Sequence, residues 1–400
     1  MGSNLLKYFT YIIFMPFWYL QLLIPRNKNI WVFGAWYGER FSDNSMYLFK
    51  YIQDNDPNIR SVWITTNEDI FKSNASLGYE TYMKWSLKGM WYCLKAKFVF
   101  VTSRKQDVNE FFINGSIAVN LWHGSPLKKI GADDKYSQVN GFFYSKIVKN
   151  FFPISYEFNY DFVTSNASVF SDKMATSFKV DNTQVLETGC PRNDVFYETK
   201  KDSFNLDILR RFPNAKLVYY LPTFRNTITP KNIFTQSDYN QNSIENFLIE
   251  ENIVLINKGH FVESNKGVTS TNKNSRIIHL KDSDTSSDIN FMLKDADALI
   301  TDYSSAFFDF LLLERPIIFA AFDLEEYMSQ SRELYFEYEK AISGPMAKNW
   351  SEILVHLKDI WNDEDNKKLI KKKNALYNKY HDANNSKRVV KSLMDISNPK

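Results

Sequence analysis

Short apolar runs alternate along the chain with longer stretches whose apolar residues recur at helical spacing. After residue 28 the runs that read as strands are Ile30–Gly34, Ser61–Thr65, Phe98–Thr102, Ile117–Trp122, Gln184–Glu187, Leu217–Leu221, Ile253–Asn257, Arg276–Leu280, Ala298–Thr301 and Pro316–Phe319. They are rich in Val, Ile, Phe, Tyr and Trp and end in polar or Gly residues. Amphipathic patterns over Asn44–Tyr51, Leu87–Ala96, Ser287–Lys294 and Ser304–Glu314 predict helices, and Trp350–Tyr380 predicts long ones. This alternation predicts parallel sheets with crossover helices in two α/β units. The polar stretch Thr199–Asp207 is the expected hinge, and Asn226–Ser243 an expected loop of the second unit. The expected domains are residues 29–205 and 206–385, with 386–400 as a tail.

The pattern differs before residue 28. Tyr8–Pro25 carries no charged side chain, with Lys7 before it and Arg26 and Lys28 after it. Eighteen residues is at the short end for a spanning helix, and Thr10, Pro16 and Gln21 interrupt the run. No small-residue cleavage site follows, so a signal peptide fits poorly. Three readings stand: a short spanning helix, an aromatic-rich segment in the bilayer interface, or an apolar element packed on the protein. Tyr, Trp and Phe interleaved with Leu and Ile suit the headgroup level, and monotopic attachment of residues 1–28 is the preferred reading. The lysines Lys367, Lys368, Lys371, Lys372 and Lys373 are either a supplementary lipid-attracting patch or a solvated helix face.

Composition narrows the class. The 400 residues suit two domains of ordinary size. Forty-nine Lys+Arg against 46 Asp+Glu exclude a basic nucleic-acid coat and an acidic tail alike. Two cysteines, Cys93 and Cys190, build neither a disulfide framework nor a zinc cluster. Aromatic residues are abundant at 16%, which core packing or contact with a bilayer explains.

Ligands of such α/β units sit at the carboxyl ends of strands, so residues just after strands carry the candidate chemistry. In Asn120–Gly131, an apolar strand delivers His123 into a turn that begins at Gly124, which makes His123 a candidate general base. In Ala298–Phe319, Asp302 ends a strand and Ser304 or Ser305 caps the next helix; the same arrangement suits a phosphate. Lys258 and His260 follow another strand and favour a pyrophosphate. Arg192, in Thr188–Asp194, and Arg225, in Tyr219–Arg225, are each read as an ion pair or an anion contact. There is no Walker loop, no G-x-G-x-x-G, no G-x-S-x-G and no zinc-ligand spacing, while Asp282-Ser283-Asp284 has D-x-D spacing but lies in a polar loop. The expectation is metal-independent, cofactor-free handling of a phosphate-bearing donor by cations, imidazole and helix dipole.

WHGSPLKKIG, TGCPRNDVF, YLPTFR, KGH and ITDYSSAFFDFLLLERPIIF, in that order, resemble the CDP-glycerol glycerophosphotransferases of the teichoic-acid type. WVFGAWYGERFSDNSMYLFKYI and HDANNSKRV look like that family's opening and closing signatures, so the match runs over roughly residues 30–390. The resemblance implies a GT-B-like fold of two Rossmann-type lobes facing a cleft, acceptor and base in the first, CDP in the second. It makes His123 the base on the acceptor hydroxyl and gives His260, Ser304 and Ser305 to the diphosphate. Gly124, Lys258, Asp302, Arg192 and Arg225 fall on motif positions as substrate-binding residues. It departs at Phe261, where the family usually has Pro, and in Arg332–Tyr338, which lacks the Gly common after that Arg.

The implied activity is transfer of glycerol phosphate from CDP-glycerol to a lipid-linked saccharide or polymer, with release of CMP, at the cytoplasmic face of a bacterial membrane. No nucleic-acid partner is expected. The alternatives are a CDP-ribitol or other polyol-phosphate transferase, a metal-independent GT-B glycosyltransferase, and a non-catalytic scaffold that binds lipid or polymer.

Overall fold

The protein is described by a computed structural model. It describes residues 2–135, 153–155, 158–223, 233–258, 274–280, 288–330 and 333–397, the side chains of 2–9, 155, 329, 330 and 397 excepted. The chain divides into two compact units. The first is Met1–His123 with Ile130–Asp194 and Asp382–Lys400; the second is Gly124–Lys129 with Val195–His381.

Seven strands build the sheet of the first unit: β1 (Asn27–Phe33), β2 (Arg60–Thr65), β3 (Thr81–Met83), β4 (Ala96–Val101), β5 (Ile117–Asn120), β6 (Phe162–Ser165) and β7 (Val185–Glu187). Their order is β3-β2-β1-β4-β5-β6-β7, and every pairing is parallel. The second unit has β8 (Lys216–Leu221), β9 (Ile253–Asn257), β10 (Ile277–His279), β11 (Ala298–Thr301), β12 (Ile317–Ala320) and β13 (Met346–Ala347). They are ordered β10-β9-β8-β11-β12-β13, again all parallel.

Helices cover both faces of such sheets, so central strands bury every side chain and read as unbroken apolar runs. Ile30–Phe33, Ala298–Thr301 and Ile317–Ala320 are buried at each position. Ten of the thirteen strands among the described residues are legible in the sequence, the central ones for this reason. The three that are not, β3, β6 and β13, are short, and β3 and β13 lie at sheet edges where only part of the strand needs apolar side chains.

The apolar N-terminus forms a helix over Gly2–Leu20 and a 3₁₀ turn over Gln21–Leu23. Among the described residues, no helix is long and apolar enough to cross a membrane. One face of this helix packs on the first unit. Tyr11 and Phe14 meet the Phe111 ring at 5.6 and 4.7 Å, and the buried Gln21 donates from Nε2 to the Phe111 carbonyl at 2.6 Å.

Two local expectations change. Thr199–Asp207 is not simply a hinge, because the Asp202 carboxylate accepts from Phe204 N at 3.0 Å and Asn205 N at 3.2 Å and starts a helix over Ser203–Arg211. Residues from Asp382 on belong to the first unit, where the helix Asn385–Ser397 buries Val389, Val390 and Leu393 in its core. Of the late lysines, Lys367 and Lys368 pair with Glu364 at 2.7 Å and Asp365 at 3.0 Å on their own helix, as a solvated face does.

Candidate active site

In the first sheet the strand order reverses between β1 and β4, and the carboxyl ends of strands around such a point form a ligand-binding crevice. The segment after β1 supplies Trp36, that after β4 supplies Thr102, and that after β5 supplies His123. These three meet. His123 Nδ1 lies 3.0 Å from the Thr102 carbonyl, and the imidazole ring is 4.9 Å from the ring of Trp36 and 3.9 Å from that of Trp122. A carbonyl oxygen only accepts, so Nδ1 carries the proton in this contact. In the neutral imidazole the lone pair is then on Nε2. The geometry therefore assigns the tautomer that a base acting through Nε2 needs.

The backbone around the ring is held in costly conformations. Among the described residues, eight non-Gly residues have positive φ, and four of them are here: Trp36 (49°), Tyr37 (60°), Asp43 (65°) and Trp122 (53°). Each left-handed non-Gly residue costs about 1–2 kcal/mol, so a structure keeps four together only where surrounding bonds over-determine them. Those bonds are present. The buried Asp107 carboxylate accepts from Thr102 N at 2.8 Å, Ser103 N at 2.7 Å and Tyr37 N at 2.8 Å, which ties the β1 and β4 segments together. Burial pushes the Asp107 carboxyl above the usual range, and these backbone donors oppose the shift.

Asp43 and Asn44, at the start of the helix Asp43–Asn55, complete the cage. Asp43 accepts from Trp36 Nε1 at 3.2 Å and from Arg192 Nη1 at 2.8 Å. Asn44 donates from Nδ2 to the carbonyls of Leu121 at 3.2 Å and Trp122 at 2.8 Å, and its Oδ1 accepts from Arg192 N at 3.0 Å. Arg192 thus makes a nearly buried ion pair with Asp43 inside the first unit. Sequence reasoning missed Asn44, Asp43, Trp36, Thr102 and Asp107. Trp36, Asp43 and Asn44 lie inside the opening signature WVFGAWYGERFSDNSMYLFKYI, which was the available signal; Thr102 and Asp107 carried none.

In the second sheet the order reverses between β8 and β11. Asp302 follows β11 and is buried. Its Oδ1 accepts from Thr223 N, after β8, at 2.8 Å and from Tyr303 N at 2.6 Å, while its carbonyl accepts from Tyr338 Oη at 2.9 Å. Asp302 therefore ties together the ends of the two central strands. Ser305 occupies the N-cap position of the short helix Ala306–Phe310 without a side-chain capping bond, and Ser304 Oγ accepts from Ala306 N at 3.4 Å. Lys258 follows β9, the strand beside β8, and its N–H donates to the Tyr220 carbonyl at 3.1 Å. Lys258, Asp302, Ser304 and Ser305 thus sit at the carboxyl ends of β9 and β11, the two strands that flank β8. Gly124 begins the second unit's first segment with φ of 135°, a value L side chains rarely adopt. His260, Arg225, Phe261 and the Asp282–Asp284 triplet lie outside the described residues.

A family model of CDP-glycerol:poly(glycerophosphate) glycerophosphotransferases matches residues 17–395. The chain belongs to that family. This glycerophosphotransferase is 27% identical over 388 residues to the teichoic acid poly(glycerol phosphate) polymerase of Bacillus spizizenii, with 93% of each chain covered. It is also 27% identical to the teichoic acid glycerol-phosphate transferase of Staphylococcus aureus, with 92% of this chain and 93% of that one covered. Among solved structures it resembles the wall teichoic acid polymerase TagF, with a TM-score of 0.74, 22% identity and coverage of 99% and 98%. A more distant likeness, with a TM-score of 0.57 and 14% identity over 93% and 97%, is to a Staphylococcus aureus MnaA structure with UDP. These likenesses agree with the GT-B-like α/β fold expected from the sequence.

Proposed function

We propose that this glycerophosphotransferase transfers glycerol phosphate from CDP-glycerol to a hydroxyl of a membrane-linked saccharide or polymer acceptor, in teichoic-acid-like or capsular polymer synthesis, with His123 as general base. One observation carries the reading: Nδ1 of His123 is tied to the Thr102 carbonyl in a strained, fully braced turn. Nε2 takes the proton of the acceptor hydroxyl as its oxygen attacks the β-phosphorus. A new P–O bond forms, the bond from the β-phosphorus to the bridging oxygen breaks, and CMP leaves with that oxygen. Lys258, Ser304 and Ser305, with His260 and Arg225 from their motif positions, bind the diphosphate and the leaving phosphate. Asp302 and Arg192 act through the backbone and side chains they hold. Gly124, next in the chain after the base, binds substrate from its motif position.

The test is CMP release over a panel of CDP-glycerol, CDP-ribitol, UDP-sugars and GDP-sugars with a lipid-linked acceptor. CMP from CDP-glycerol with glycerol phosphate added to the acceptor is the expected result. A teichoic acid ribitol-phosphate primase of Bacillus spizizenii is 26% identical over 404 residues, so preference for CDP-ribitol is the outcome that would replace this donor. Release of UDP or GDP would move the chain to the glycosyltransferases, and no turnover with any donor would make it a binding scaffold.

Attachment to the cytoplasmic face of the membrane is the second half of the reading. The N-terminal helix and the turn after it present Ile12, Ile13, Leu20, Leu22 and Leu23 to solvent, Leu23 at 80% exposure. Beside them stand Trp85, Leu87 and Trp91, with Leu87 84% exposed; Trp85 touches the same Phe111 ring that receives Tyr11 and Phe14. Lys95 lies over the Trp91 ring at 5.1 Å. Exposed apolar and aromatic side chains edged by lysine suit a monotopic interface. Burying a large apolar side chain is worth about 1.5–3 kcal/mol, or about tenfold in partitioning for each residue. L87S and W91A together should therefore reduce co-sedimentation with phosphatidylglycerol vesicles by about a hundredfold. Partitioning within threefold of wild type would remove this face from the membrane.

A further inference from the structure

We propose that Asn44 is the positioning residue of the base: it sets the peptide plane from which His123 projects. This rests on His123 being the base. Asn44 has no accessible surface, and both ends of its carboxamide are used: Nδ2 donates to the Leu121 and Trp122 carbonyls, and Oδ1 accepts from Arg192 N. The Trp122 carbonyl belongs to the peptide unit that ends at the His123 nitrogen. Holding that oxygen at 2.8 Å fixes the rotation of the plane, and hence the direction in which the His123 side chain leaves the backbone.

The Trp122 residue needs such a hold, because its φ of 53° is unfavourable for a side chain of that size. Its own N–H is held from the other side by Asn120 Oδ1 at 2.8 Å. Once the backbone is set, Thr102 and the rings of Trp36 and Trp122 leave the imidazole little freedom. Asp43 sets the Trp36 wall and, through Arg192, is joined to the same backbone that Asn44 accepts from. An Asn is required chemically. Two carbonyl oxygens face its Nδ2, and a carboxylate of the same shape would set acceptors against acceptors.

The experiment measures transfer to the lipid-linked acceptor by the full chain and its variants. N44A is expected to lower kcat by about a hundredfold, as an ångström-scale misplacement of a catalytic group does, with KM for CDP-glycerol within threefold. N44D keeps the packing shape and serves if N44A fails to fold. Its rate relative to wild type should be lowest at pH 8 and rise at least tenfold towards pH 6, where protonation of the new carboxyl restores one donor. The decisive measurement is the double variant. In the H123A background, N44A should change the residual rate by less than about twofold, because a residue acting only through the base has nothing left to position.

A full hundredfold loss added to that of H123A would overturn the proposal. So would a folded N44A or N44D with kcat within threefold of wild type at every pH. H123A retaining near-normal turnover would sink the base assignment and this inference with it. H123A inactive with Asn44 variants normal would sink this inference alone.

Discussion

Replacing His123 by Ala is expected to slow CMP release from CDP-glycerol by about 10²–10⁴-fold, the span of a lost general base. CDP-glycerol affinity should stay within about threefold, since Lys258, Ser304 and Ser305, proposed above as donor-binding groups, follow β9 and β11 of the other unit. The thermal midpoint should barely move. The His123 side chain is half-buried rather than part of the core, so truncating it removes little packing. That separation makes the experiment informative: lost turnover together with lost donor binding would mean collapse of the site, and retained turnover would mean another base. Isothermal titration of CDP-glycerol into the variant, alongside CMP release, distinguishes the three outcomes.

Leu393→Ala is expected to destabilise the first unit by about 2–5 kcal/mol, the range for a buried leucine truncated in a well-packed core. Domains of this size are stable by only about 5–15 kcal/mol, so the loss is a large fraction of the whole. Leu393 is fully buried with Val389 in the cluster that holds Trp31, Phe49 and Trp63. The contact is braced at the start of the same helix. Asp194 accepts from Asn385 N at 2.8 Å and Ser386 N at 2.9 Å, and Asn385 Oδ1 stands 2.0 Å from where a Cβ on Gly189 would lie. Gly189 also has φ of 77°, so both space and backbone demand glycine at that turn. Urea denaturation followed by tryptophan fluorescence should show the first transition at lower urea. A midpoint unchanged within error would mean that residues 385–397 do not hold this core together.

What the sequence discloses follows from how far each signal reaches along the chain. A central strand such as Ala298–Thr301 must be buried at every position, so its apolar run announces it. His123 is legible because its reason is local: strand, histidine, then a Gly-Ser-Pro turn. Asp302 was legible as a strand-end carboxylate, but not as the clamp on Thr223, because that bond joins residues 79 apart. Asn44 reaches Leu121 across 77 residues and Arg192 across 148, in both cases through backbone atoms that every residue type carries. No residue pattern encodes such a contact. Arg192 was legible as an ion pair or an anion contact, but not its partner: the carboxylate it meets, Asp43, lies 149 residues away in the opening signature of the chain. The helix Asn385–Ser397 has an ordinary amphipathic pattern, and only the fold tells which unit it completes.

That last feature bears on biosynthesis. A ribosome that has made the chain as far as Asp194 has all seven strands of the first sheet, but not the helix that seals its core over Val389 and Leu393. Every residue from Val195 to His381 must be translated before that piece emerges. The first unit is therefore begun first and finished after the second has been synthesised, with a half-covered apolar face waiting in the interval. No single cut in the coding sequence yields both units intact. A separable first unit calls for a rearranged gene in which residues 382–397 are joined by a linker to the segment ending at Asp194.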